Sequence, residues 1–144
     1  MAFENPSRDE IKQILEDAVT IAVVGLSDNP ERTSYMVSAA MQAKGYRIVP
    51  VNPNAEQVLG EKSYPSLTDI PFPVDIVDVF RRSEHTPPIA EEAAAIGAKV
   101  LWLQQGVISE EAAAIAAQAG LNVIMDRCIK VEDAILLPQG KFKF

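Results

Sequence analysis

Five near-continuous apolar runs punctuate this chain, and the segments between them carry apolar residues at helical spacing. Ser7-Arg8-Asp9-Glu10 reads as a capping box. Ile11, Ile14, Leu15 and Ala18 follow at helical spacing, which predicts a first helix over residues 8–18. The first strand falls at residues 20–25. A helix over 34–44 comes next, with Met36, Val37, Ala40 and Met41 as its buried side and Gly45 as its stop. Arg47-Ile48-Val49-Pro50-Val51 is the second strand.

An irregular stretch follows, with a short extended piece within 57–64 and one helical turn at 66–69, ended by Pro71 and Pro73. The third long strand, 74–80, holds two carboxylates, Asp75 and Asp78, whose direction the pattern leaves open. Residues 81–86 read as a polar loop, and Pro87-Pro88 mark the start of a helix over 89–96. A strand at 99–103 leads to the loop Gln104-Gln105-Gly106. Ser109 caps a helix whose first turn carries Glu110 and Glu111. The last strand is 121–125, the last helix 128–137, and residues 141–144 form a tail.

Helix, glycine, strand recurs at Lys44-Gly45-Tyr46, Ile96-Gly97-Ala98 and Ala119-Gly120-Leu121. Apolar runs that do not alternate mark parallel strands buried on both faces. The expected architecture is a three-layer, doubly wound, Rossmann-like α/β fold with a mainly parallel sheet of about five strands, residues 1–144 making one domain.

Composition narrows the class. The chain has 144 residues, 48% hydrophobic and 23% charged, which suits a soluble globular domain. No apolar run approaches the roughly 20 residues needed to span a bilayer, and the N-terminus lacks a signal-peptide pattern. Cys128 is the single cysteine, so no internal disulfide forms, and a reducing cytoplasm fits. A net charge of −7 argues against non-specific nucleic-acid binding, which rests on basic patches.

The candidate chemistry lies at the strand ends. In an open α/β sheet, ligands bind beyond the carboxyl ends of the strands. Four of the six arginines fall in those loops: Arg32, Arg81, Arg82 and Arg127. Guanidinium groups grip phosphate bidentately, so this rim is suited to a polyanion despite the acidic whole. The first strand runs into Gly25-Leu26-Ser27, and a helix begins shortly after. A glycine turn followed by a helix start is a phosphate-binding arrangement. The second strand ends in Asn52-Pro53-Asn54, without the carboxylate that an NAD site uses for the ribose diol.

The chain resembles the small stand-alone CoA-binding proteins, which are similar to the CoA-binding domain of the succinyl-CoA synthetase α subunit. The resemblance is carried by Val23-Val24-Gly25-Leu26-Ser27, Val49-Pro50-Val51-Asn52-Pro53, Tyr64-Pro65-Ser66-Leu67, Val77-Asp78-Val79-Phe80-Arg81, Gln104-Gln105-Gly106-Val107 and Met125-Asp126-Arg127-Cys128. It implies coenzyme A as the ligand. Gly25, Leu26 and Ser27 would form the turn under the pyrophosphate, Ser34 and Tyr35 would present helix-start N–H groups, and Arg32 would pair with a phosphate. Asn52 and Pro53 would flank the adenosine end. Phe80, Arg81 and Arg82 match the loop lining the CoA channel, although the ligase has prolines where this chain has Arg81-Arg82. Gln104 and Gln105 stand where the ligase has a Thr-Glu pair.

The ligase passes a phosphoryl group through a histidine of a later domain, which has no counterpart here. His85, the only histidine, matches no catalytic position and reads as a loop residue. No nucleophile–base pair, paired-carboxylate site or metal-ligand spacing is visible. The expected function is therefore binding of CoA or an acyl-CoA without catalysis. Two rivals remain: an NAD(P)-linked oxidoreductase, and a regulatory module that binds protein. Self-association is open. Cys128 reads as a small buried hydrophobe, with a mixed disulfide to the CoA thiol as the alternative. Trp102 reads as core, and Asp126 as a cap for the last helix.

Overall fold

The computed structural model describes residues 3–140. The tail assigned to 141–144 lies outside them. Five parallel strands form one sheet: β1 (Thr20–Val24), β2 (Arg47–Val51), β5 (Ile76–Val79), β6 (Val100–Leu103) and β7 (Asn122–Ile124), in the order β2-β1-β5-β6-β7. The short strands β3 (Gln57–Val58) and β4 (Glu61–Lys62) pair as a separate antiparallel hairpin. Leu59 and Gly60 both have positive φ at its turn, the backbone sign that a tight hairpin needs.

Alternate strand residues face opposite layers. Ile21, Val23, Ile48, Ile76, Trp102 and Ile124 pack beneath α1 (Arg8–Asp17), α2 (Thr33–Ala43) and α5 (Ile129–Leu136). Ala22, Val24, Val49, Val77, Val79 and Leu101 pack beneath α3 (Thr86–Ala95) and α4 (Glu110–Gln118). This is the three-layer Rossmann-like arrangement expected from the apolar runs. Pro50 is tolerated because β2 is the edge strand.

Several local expectations shift. The buried side of α2 is Ser34, Val37, Ser38 and Met41, while Met36 is exposed and Ala40 half-buried. The helix turns its small serines inward, where the Ser34 hydroxyl ties down the preceding loop. α3 begins at Thr86 rather than 89, after a 3-10 turn at Ser83–His85. Pro87 and Pro88 fit inside the first turn, where their missing N–H groups would have no partner anyway. The third long strand is shorter than expected because Asp75 turns aside to accept hydrogen bonds from the amides of Val19 and Thr20, at 2.8 and 2.9 Å. Burial pushes Asp75 upward, but those amides and Lys99, at 3.5 Å, hold its carboxyl below the usual range. Asp126 does not cap α5, whose N-cap is Cys128. Instead Asp126 takes a left-handed backbone (φ 58°) and accepts a hydrogen bond from the Gly106 amide at 2.8 Å, joining two strand-end loops.

Two neighbours flank β1, and the chain runs outward from them to opposite edges, through β2 on one side and β6 and β7 on the other. Such a reversal leaves a crevice beyond the strand ends. Gly25 (φ 87°) sits at its centre, pressed so close to β5 that a Cβ there would collide with the Phe80 carbonyl oxygen.

Candidate functional site

The loop after β1 is held by its own side chains. The Ser27 amide donates to Ser34 Oγ at 3.0 Å, the Asn29 amide to Ser27 Oγ at 3.0 Å, and the Glu31 amide to Asn29 Oδ1 at 3.0 Å. Arg32 then takes the N-cap position of α2 without a side-chain capping bond. The first three amides of the helix, on Thr33, Ser34 and Tyr35, have no acceptor among the described residues. No carboxylate occupies the first turn. A helix start whose first amides lack acceptors attracts an anion through its N–H groups and its dipole, and Thr33 and Ser34 border a depression.

Three depressions lie side by side across the strand ends. The first, about 350 Å³, is walled by Val24, Val51, Pro53, Pro65, Leu67 and Ile89. Ser66, Arg81, His85 and Glu92 complete it. The second, about 410 Å³, lies over the helix start and is bounded by Gly25, Ser27, Arg32, Thr33, Ser34 and Asn52. Phe80 and Arg81 form its far side. The third, about 560 Å³, lies between Arg81, Arg82, Gln104, Gln105, Val107 and Cys128. Arg81 borders all three, so the depressions meet around its side chain and together make up the groove at the strand ends.

Most of the sequence-derived candidates meet here. Two behave differently. Leu26 has no exposed surface and packs in the core, contributing only its carbonyl, which accepts a hydrogen bond from Asn52 Nδ2 at 2.9 Å. Tyr35 is half-buried against the same core and borders none of the three depressions. Among the arginines, Arg32, Arg81 and Arg82 line the groove and make no ion pair among the described residues. Arg127 folds back, its Nη1 donating to the Asp126 carbonyl at 2.8 Å. The groove thus holds three unpaired guanidinium groups in an acidic protein.

Beneath the third depression lies a residue whose direction the sequence did not reveal. Asp78 points from β5 into the layer under α5 and is 1% exposed. Burial raises its carboxyl to about 7, against the opposing pull of hydrogen bonds from Gln104 and the Val79 amide. Gln104 Nε2 donates to Asp78 Oδ1, while Gln104 Oε1 accepts from the Ile129 amide at 3.4 Å. Gln104 is therefore both a wall of the groove and a strut beneath it. Trp102 is fully buried, its Nε1 donating to the Arg127 carbonyl at 2.9 Å. Cys128 is half-buried and open to the third depression rather than sealed in the core. His85 is exposed at the mouth of the first. Thr33 and Glu92 also line the groove and are not sequence candidates, and Asn54 and Ser66, quoted from sequence only within loop segments, line it too. Thr33 was readable only by setting the helix start one residue earlier. Among the described residues no cluster of three or more His, Cys, Asp or Glu could hold a metal ion. No helix there is long and apolar enough to cross a membrane.

A parallel, doubly wound sheet with an open helix start and an arginine-lined groove past its strand ends defines a nucleotide-binding class of α/β domain. Within that class the assignment is specific: residues 19–134 match the family model of the CoA binding domain, and the chain belongs to that family. It is 54% identical over 133 residues to a Bacillus subtilis (strain 168) protein, "Uncharacterized protein YneT", covering 92% of this chain and 98% of that one. It is 32% identical over 94 residues to the ADP-forming acetate–CoA ligase II of Archaeoglobus fulgidus, covering 64% of this chain but only 14% of the ligase. A solved structure of a hypothetical protein from Pyrococcus horikoshii OT3 superposes with a TM-score of 0.89 at 38% identity, over 95% of this chain and 99% of that one.

Proposed function

We propose that this protein binds coenzyme A along the groove, with the pyrophosphate over Gly25 and the start of α2, the adenosine end in the first depression and the pantetheine arm in the third. The observation that carries this is the place of Arg81, which borders a depression of mixed polar and apolar lining, a polar one over the helix start, and a larger, mainly apolar one. CoA has that chemistry in that order: a base, a cluster of phosphates and a long arm. Arg32 and Arg81 contact phosphate in this reading, while Arg82, Gln104 and Gln105 border the arm. Asn52 supports the site through its bonds to the Leu26 carbonyl and the Asn54 amide rather than by gripping a ribose.

The activity proposed is binding without catalysis. Among the described residues, the one groove hydroxyl that donates to a carboxylate is Ser66, bonded to Asp69 at 2.8 Å within an exposed turn, and the half-buried Cys128 has no base hydrogen-bonded to it. Native mass spectrometry of freshly purified protein tests the ligand class. A population heavier by one CoA or acyl-CoA supports the reading. A bound dinucleotide instead would replace it with the oxidoreductase reading. Acetyl-CoA that stays intact on prolonged incubation with the protein supports the non-catalytic part, and accelerated release of free CoA refutes it.

A further inference from the structure

The first depression contains a group that a site for a polyanion should avoid. Glu92, on α3, adds a carboxylate to a groove otherwise furnished with arginines. One of its oxygens is accounted for, since Oε1 accepts the Leu67 amide at 3.2 Å and so fastens α3 to the turn after Pro65. The other has no hydrogen-bond or ion-pair partner among the described residues, although Arg81 and His85 border the same depression. Of the four polar side chains there, Arg81 can only donate, Ser66 already donates to Asp69 at 2.8 Å, and His85 carries at least one ring N–H donor. Glu92 alone can only accept. Its setting is a depression of about 350 Å³ whose apolar walls are Val24, Val51, Pro53, Pro65, Leu67 and Ile89, side chains against which a ring can pack.

We propose that Glu92 reads the base: its free carboxylate oxygen accepts a hydrogen bond from the exocyclic amine of adenine, and so rejects purines that carry an oxygen at that position. This rests on the CoA reading above and adds the residue that makes it specific for adenine. A 6-oxo purine in the same pose would set its carbonyl oxygen against the carboxylate, two acceptors facing each other, and its N1–H could reach the carboxylate only if the ring shifted from that pose. The fixed Oε1 matters, because it leaves the side chain little freedom to turn away. It also makes Glu92→Gln a sharp probe. In the variant the amide oxygen still accepts from Leu67, which keeps the fold anchored, and the –NH2 replaces the free oxygen. Donor then stands where acceptor stood.

The test is calorimetric titration of the full chain, wild type and E92Q, with adenosine 3′,5′-bisphosphate, inosine 3′,5′-bisphosphate and CoA, with a thermal melt of each protein. Wild type is expected to prefer the adenosine compound by about tenfold, the size of one charge-assisted hydrogen bond in a half-open site. E92Q is expected to erase or invert that preference with its melting temperature nearly unchanged. Equal binding of the two nucleotides by wild type overturns the proposal, whether or not the variant folds. So does an unchanged ratio in E92Q. Failure of both nucleotides and of CoA to bind overturns the parent reading instead, and this one with it.

Discussion

Gln104 and Asp78 are hydrogen-bonded beneath the groove, and the same Gln104 amide group holds the first N–H of α5. One buried side chain thereby couples β5, β6 and α5 and fixes the floor of the third depression. Asp78 makes this arrangement sensitive to pH. Its carboxyl is raised from 3.8 to about 7 by burial, so between those values the folded chain keeps a proton that the unfolded chain has lost. The sign follows from linkage. Asp78's contribution to stability is fully present below about pH 4 and declines as pH rises through about 7. Asp78→Asn keeps an acceptor for Gln104 and removes the charge. The amount by which its melting temperature exceeds that of wild type should be smallest near pH 4 and grow by pH 8 by roughly 3 °C or more, the equivalent of about 1 kcal/mol. Equal differences at the two pH values would contradict this.

Gly25 answers to two constraints at once, a positive φ and the Phe80 carbonyl against its α-carbon. Gly25→Ala violates both. The left-handed backbone alone costs about 1–3 kcal/mol, and relief of the collision must push the β1 and β5 ends apart. Urea unfolding should show the loss as a lower midpoint, and CoA affinity should fall with it. A variant of wild-type stability would show that the close approach is not needed.

Arg32 and Arg81 should differ in how much they matter. Arg32 borders one depression, Arg81 all three. Removal of either guanidinium should weaken CoA binding, with Arg81→Ala losing more, on the order of 1.5–3 kcal/mol for a charge-assisted contact. Salt should shrink both effects, since it has already screened the interaction in wild type. Affinities measured across a salt series check the order and the trend together.

Away from the site, Lys44 and Tyr46 compensate a buried acid. Asp133 is 1% exposed, with Oδ1 accepting from Tyr46 Oη at 2.7 Å and Oδ2 lying 2.8 Å from Lys44 Nζ. Burial, then the Asp133 contact, raises the Tyr46 hydroxyl further above its ordinary value. Lys44→Met strands the carboxylate without its counter-charge, which costs on the order of 3 kcal/mol. Tyr46→Phe removes one neutral donor and should cost less, about 1–2 kcal/mol. Chemical denaturation of the two variants checks the ranking.

Much of this could be read from the chain because layer and strand patterns are local. Uninterrupted apolar runs gave a buried parallel sheet, and the glycine after β1 with the arginines past the strand ends marked the rim. What escaped was set by contacts distant in sequence. Asp78 looked awkward in a strand until Gln104, 26 residues on, proved to be its partner. Arg127 belongs to the rim by sequence, yet its guanidinium turns onto the Asp126 carbonyl and leaves the groove. Leu26 lies in the glycine turn, but the fold spends its side chain on the core. Glu92 showed no sign at all, since its contact with the Leu67 amide joins residues 25 apart in the chain.

The most direct measurement is calorimetry of the full chain with CoA, dephospho-CoA and NAD under one buffer. Three arginines without an ion pair among the described residues, and a helix start without a ribose-binding carboxylate, predict that CoA binds tightest, dephospho-CoA less tightly and NAD weakest. NAD binding as tightly as CoA, or no heat from CoA at all, would contradict that account.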